Sequence, residues 1–240
     1  MFKGIDPHSA AREVSRRVRR GRACHCFVSA KGSGQLLSME SYEEKQRALL
    51  LDIDPQVQQF REQPWTMDVL SGEVQHSRKH FKAGSDLKRI FYTPDFLINL
   101  CDGSVVVAEV KRESIPTDLE TKYCLAAEHL RDLGVEFRVL TSTSLTASLI
   151  RNCEYIKRVS AGYLRPALPE ALERLQELAE RQPTWRVREL AQHLPYGVFG
   201  VYIGLAHGVF SADLRNELLS EKAEVKVAGG DLSHLEVGFL

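Results

Sequence analysis

Apolar and polar positions change their spacing along this chain, and each change of period marks an element. Residues 24–30 predict a short strand, followed by a turn at Lys31-Gly32-Ser33-Gly34. From Ser38 or Ser41 to Asp52 the spacing predicts a helix. Ser41 with Glu44 three positions on forms a capping-box pattern, Ala48 to Leu51 would bury the far end, and Asp54-Pro55 stops it. Residues 57–60 begin a strand that Gln63-Pro64-Trp65 is expected to continue along an edge, and residues 71–90, polar and irregular, predict either a loop or hairpin lying along a substrate or a solvated excursion. Two apolar runs follow, Phe96 to Leu100 and Val105 to Val110, around a Cys101-Asp102-Gly103 turn, which is the signal of a β-hairpin.

Beyond the hairpin, residues 117–133 alternate charged and apolar positions at helical spacing, with Gly134 to end the helix. Residues 136–140 predict the next strand. Strand, helix, strand at this spacing implies a crossover connection and a mixed sheet. Arg165-Pro166 and Pro169 suggest a boundary. After it come an amphipathic helix at 170–181, a strand-like entry and helix at 184–194, an apolar helix at 198–206 and a strand at 223–227. Three helices and a small β-wing suggest a winged-helix domain. Such domains often place a helix in the DNA major groove, and others serve protein contact. The acids Glu170, Glu173, Glu177 and Glu180 on the first of these helices favour protein contact or scaffolding at least equally.

Length and composition narrow the classes. A chain of 240 residues suits one large domain or two ordinary ones, and its 32 basic and 32 acidic side chains balance. No apolar run approaches the roughly 20 residues of a membrane span, and no apolar segment near Met1 resembles a signal peptide. Five cysteines in no disulfide framework fit a reducing cytoplasm. Cys24-His25-Cys26, with His76 and His80 as remote partners, lacks the second close pair that zinc sites use, so free thiols are expected there. The neutral total hides a basic start, where Arg12, Arg16, Arg17, Arg19, Arg20 and Arg22 face only Asp6 and Glu13. That run is either a solvated arm or a grip on DNA phosphates.

The hairpin carries the candidate chemistry. Glu109 and Lys111 stand two positions apart and share a face, and Asp95 opens the partner strand. Acids at neighbouring strand ends suit a hard divalent cation, and a lysine beside them can orient water or offset phosphate charge. A two-residue turn would set Asp95 across from Val110, turned away from both partners. An odd-length loop with Gly103 in the left-handed region, or a bulge, is therefore expected. The plain alternative makes Asp95 a strand-entry residue, Glu109 with Lys111 a solvent pair, and Glu44 the cap of its own helix.

Pro94-Asp95, then Glu109-Val110-Lys111, resembles the PD-(D/E)XK signature of restriction-endonuclease-like nucleases. Glu40 to Glu44, Leu49 to Val57 and Arg61-Glu62-Gln63-Pro64 narrow this to a resemblance to TnsA, the endonuclease subunit of a heteromeric transposase. The resemblance implies an α/β fold with a restriction-endonuclease-like mixed sheet flanked by helices. Its motifs cover roughly residues 25 to 145, and with the basic start and the proline boundary the chain divides into a basic arm at 1–24, a nuclease domain at 25–165 and a winged-helix-like domain at 166–240. The resemblance implies Glu44, Asp95, Glu109 and Lys111 as catalytic residues, with Glu40 and Glu43 as rivals for the helical acid. Asp95, Glu109 and the Val110 carbonyl would hold Mg²⁺, with Mn²⁺ as a substitute. Arg16, Arg17, Arg19, Arg20, Gln63 and Lys122 are candidates for DNA contact; for Gln63 a buried pairing with backbone is the alternative, and for Lys122 a solvent-facing position.

The implied activity is metal-dependent cleavage at the 5′ strand ends of a transposon. The implied partners are double-stranded transposon-end DNA, a DDE-type transposase subunit (TnsB type) and, through the C-terminal domain, an ATPase regulator (TnsC type). The alternatives are a stand-alone restriction-like or repair nuclease, and a catalytically silent DNA-binding or assembly module of the same fold.

Overall fold

The computed structural model describes residues 10–11, 24–31, 36–82, 89–114, 117–159 and 168–240. The expected basic arm with Arg12, Arg16, Arg17, Arg19, Arg20 and Arg22, the Gly32-Gly34 turn and the Arg165-Pro166 boundary lie outside those residues. The chain divides into two compact units, Met1–Ala48 with Gln56–Thr143, and Leu49–Pro55 with Ser144–Leu240.

In the first unit, β1 (His25–Val28) pairs antiparallel with β2 (Leu36–Met39), and α1 (Tyr42–Ile53) follows. Residues 38–39 thus belong to a strand, and of the two helix starts expected the one at Ser41 holds. Ser41 Oγ accepts from Glu44 N at 3.1 Å and donates to Glu44 Oε1 at 2.9 Å, while Glu40 N donates to Glu44 Oε2 at 3.0 Å. These bonds occupy orphan N–H groups that would otherwise leave the first turn frayed.

Then come β3 (Val57–Glu62), β4 (Thr66–Asp68), β5 (Glu73–Gln75), β6 (Phe91–Tyr92), β7 (Phe96–Leu100), β8 (Val105–Lys111), α2 (Thr117–Asp132) and β9 (Glu136–Thr141). The main sheet has the order β3-β7-β8-β9, antiparallel except for the parallel pair β8–β9 that α2 connects. A smaller sheet, β5-β4-β6, draws on the polar stretch, where of the loop, hairpin and excursion expected a short hairpin, β4–β5, is found. The edge strand stops at Glu62 rather than running on through Trp65. Its successor Gln63 has φ +40°, a left-handed value that no strand residue adopts.

Burial explains why β8 sits centrally. Val106 to Val110 are all buried, so both faces of the strand are covered and a near-continuous apolar run is required. On α2, Tyr123, Ala126 and Leu130 turn inward at helical spacing and pack with Trp65, Met67, Val69, Tyr92 and Val107. Gly134, at φ +70°, closes that helix, with Val135 N donating to Leu130 O at 2.9 Å.

In the second unit are α3 (Ala147–Val159), α4 (Leu168–Arg181), β10 (Thr184–Arg186), α5 (Val187–Gln192), α6 (Val198–Ala206), β11 (Phe210–Ser211) and β12 (Glu224–Val227). The strands form an antiparallel sheet in the order β10-β12-β11. Helix α6 is apolar nearly all round and buried from Gly200 to Leu205. A Cβ at Gly204 would come within 3.1 Å of the Leu175 and Phe210 side chains, so any larger residue would push one of them back by a few tenths of an ångström. Residues 49–55 join this unit through the Asp52–Lys157 ion pair and through Asp54 Oδ2, which accepts from Gly238 N at 2.7 Å.

Candidate active site

The hairpin register decides whether Asp95 can meet Glu109. Phe96 pairs with Ala108, Leu97 with Val107, Ile98 with Val106 and Asn99 with Val105. Leu100 N then donates to Ser104 O at 2.9 Å, enclosing a three-residue loop, Cys101 to Gly103. Gly103 has φ +87°, and its N–H donates to Leu100 O at 3.0 Å. This is the odd-length loop the chemistry requires, and one further step of the register sets Asp95 across from Glu109.

Asp95 is fixed from two sides. Its Oδ2 accepts from Val110 N at 2.7 Å, and its carbonyl accepts from Gln63 N at 2.9 Å. Glu109, only 5 % exposed, accepts through one oxygen from both Lys111 Nζ at 2.5 Å and Tyr123 Oη at 2.7 Å. Its other oxygen, Oε2, is buried and takes neither of these bonds. The buried Tyr92 hydroxyl faces the same carboxylate, and burial first, then the charge of Glu109, raise its pKa well above the ordinary value.

Electrostatics tie these groups together. Burial, then the charges of Glu109 and Glu44, push the Asp95 carboxyl well above the usual range, against the opposing pull of the Val110 N–H and Lys111. Burial also raises Glu44, with the neighbouring Glu40 and Glu109 adding to it and its own capping bonds opposing. Burial works against the charged form of Lys111, yet Glu109, Tyr123 and Asp95 outweigh it and raise the ammonium pKa. Burial and then Glu109 raise the Tyr123 hydroxyl to about 12, so it remains a donor at neutral pH.

Three of the four expected catalytic side chains, Asp95, Glu109 and Lys111, therefore share one corner of the sheet. Glu44 is coupled to that corner through charge while also capping α1. Lys122, half-buried, lies over the rings of Tyr92 at 5.3 Å and Tyr123 at 4.8 Å, at the border of the same corner. Gln63 departs from the DNA-contact expectation. It is 2 % exposed, and its Nε2 donates to Glu40 Oε1 at 3.4 Å, because the left-handed backbone folds it inward. Arg16, Arg17, Arg19 and Arg20 lie outside the described residues. Tyr123 was not singled out from the sequence. The signal available was a tyrosine on the buried face of a helix, whose hydroxyl must find a partner.

Among the described residues, no three His, Cys, Asp or Glu side chains gather as a ready-made cation cage. Cys24 and Cys26 carry free thiols, and His76 and His80 pack edge to face with ring centroids 5.6 Å apart. Magnesium rarely needs a cage, since it keeps several waters and binds through one or two carboxylates. Glu109 Oε2, buried and bonded to neither Lys111 nor Tyr123, beside a crowded Asp95 fits that habit.

Comparison with curated proteins finds none that matches this chain. Residues 54–142 match the family model of the TnsA-like endonuclease N-terminal domain, a stretch that holds Asp95, Glu109, Lys111 and Lys122 but begins after Glu44. The chain thus carries a TnsA-like endonuclease domain, a nuclease domain of the transposition type.

Proposed function

We propose that the chain is the metal-dependent endonuclease subunit of a heteromeric cut-and-paste transposase, cutting the strands at the transposon's 5′ ends during excision. The observation that carries this reading is the Asp95–Glu109–Lys111 corner inside the TnsA-like domain, with a buried carboxylate oxygen, Glu109 Oε2, that neither Lys111 nor Tyr123 occupies. Asp95, Glu109 and the Val110 carbonyl would hold Mg²⁺, which supplies an acidified water and offsets charge on the leaving oxygen. Lys111 acts as a cation rather than a base. Its raised pKa keeps the ammonium charged at neutral pH, where it orients water and faces the phosphate. Tyr123 holds the Glu109 carboxylate so that Oε2 stays turned away from both donors. Glu44, joined to Asp95 and Glu109 only through charge, completes the outer rim.

For residues 168–227, the order helix, strand, helix, helix, strand, strand supports a winged-helix-like module. The exposed acids Glu170, Glu173, Glu177 and Glu180 on α4 repel phosphates and favour a protein partner, an ATPase regulator of the TnsC type.

The test is strand-specific. Duplex DNA bearing a transposon end, labelled in turn on each strand, is incubated with Mg²⁺, with and without a DDE-type transposase subunit. Cutting of the strand that ends 5′ in the transposon, abolished by EDTA and enhanced by the partner, is expected. Cutting on the 3′ strand, or EDTA-insensitive cutting, contradicts the proposal.

A further inference from the structure

Gln63 combines features that an ordinary loop residue does not need. Among the described non-glycine residues it alone has positive φ, at +40°, and it is nevertheless almost fully buried. A side chain in that region costs on the order of 1 kcal/mol or more, so glycine would suit the backbone better. The peptide is used on both sides. Its N–H donates to Asp95 O at 2.9 Å, and its carbonyl accepts from Ala11 N at 2.7 Å. The side chain is used as well. Nε2 donates to Glu40 Oε1 at 3.4 Å, and Glu40 N in turn donates to Glu44 Oε2 at 3.0 Å. Gln63 Oε1 is buried with no partner.

One strained residue therefore touches the mainchain of the hairpin acid and, through Glu40, the segment that fixes the helical acid. Strain kept together with an unsatisfied buried oxygen has to be offset by something, and neither feature serves the core, where an apolar residue would pack at lower cost. We infer that Gln63 is a positioning residue, setting the Asp95 carboxylate against the Glu40–Glu44 segment. The inference rests on the nuclease reading for its consequence in catalysis, but the placement itself is observable without metal or DNA.

The Val110 amide reports that placement, because its N–H donates to Asp95 Oδ2. Gln63→Gly keeps the backbone accessible, relieves the strain and removes the side chain, so the variant folds. In the metal-free variant the Val110 amide is expected to exchange with solvent at least about tenfold faster than in the wild type, with Val107 unchanged as the reference for the strand. In the cleavage assay kcat is expected to fall about tenfold to a hundredfold with KM for DNA unchanged, the signature of misplaced groups rather than lost binding. The double variant E40Q/Q63E, which reverses the direction of the side-chain bond and keeps the charge, is expected to restore most of the rate. Unchanged Val110 exchange in Gln63→Gly, or a Gln63→Gly protein with wild-type kcat, overturns the inference. A wild-type protein that cuts nothing, with Val110 exchange still accelerated in the variant, removes the nuclease reading and leaves the positioning role standing.

Discussion

Replacing Asp95 by Asn is expected to stop cleavage while making the metal-free protein more stable. Asn keeps an oxygen to accept from Val110 N but removes a charge that burial, Glu109 and Glu44 all disfavour. Loss of a cation-holding carboxylate removes several kcal/mol of transition-state stabilisation, about a thousandfold or more in rate. The stability change has the opposite sign because a site arranged to receive a cation is repulsive without one. At this chain length each kcal/mol of repulsion relieved raises the thermal midpoint by roughly 2–4 °C.

The pH dependence follows from the same shift. Folded Asp95 holds its proton above the range of an unfolded aspartate. The stability this contributes is fully present below the unfolded pKa of about 4 and is lost as pH rises through the folded value. Calorimetry in EDTA should therefore show the gap between Asp95→Asn and wild type widening with pH through that window, and narrowing when Mg²⁺ is added to the wild type. An Asn variant that melts below the wild type, or that still nicks DNA, is the contrary result.

The largest stability loss is expected in the second unit, from Asn152→Ala. Asn152 is fully buried, and its Nδ2 donates to Leu214 O at 2.9 Å and Glu217 O at 2.8 Å. Its Oδ1 accepts from Leu219 N at 2.9 Å. All of these backbone groups lie between β11 and β12, in a segment with no ladder of its own to satisfy them. Alanine strands two carbonyls and one N–H, each worth about 1 kcal/mol or more when left unpaired, so a loss of about 3 kcal/mol or more is expected. For a unit of this size, at about 4 °C or more per kcal/mol, that corresponds on the calorimetric trace to a midpoint lower by roughly 12 °C or more for its transition. A change of under about 1 kcal/mol would show that the segment keeps its course without the amide.

Much of this arrangement was legible in the residues, and the reasons differ from element to element. Helix α6 was readable to its ends because an apolar run bounded by glycines leaves no other solution. The loop at Cys101 to Gly103 was readable from chemistry, since a plain two-residue turn would set Asp95 away from Glu109, leaving an odd-length loop or a bulge, and the former is found. Strand β2 and helix α3 were not foreseen. Leu36 to Met39 is too short for its period to speak, and α3 buries the polar Asn152, so its stripe is interrupted where the packing is most specific. The end of β3 was missed because Gln63 adopts a conformation its residue type disfavours, and local preference cannot announce a tertiary override. Tyr123 and the inward turn of Gln63 were hidden for a related reason. Both act on acids far away in the chain, through contacts that only the folded sheet creates.

The central claim is that Asp95 and Glu109, residues 14 positions apart, hold one divalent cation between them. The most direct measurement is the anomalous signal of Mn²⁺ in a crystal of the protein soaked in that metal. The account predicts a peak within coordinating distance, about 2.0–2.3 Å, of a carboxylate oxygen of Asp95 and of Glu109 Oε2. A peak held by other residues, or an empty corner at Mn²⁺ concentrations that support cleavage, would contradict it.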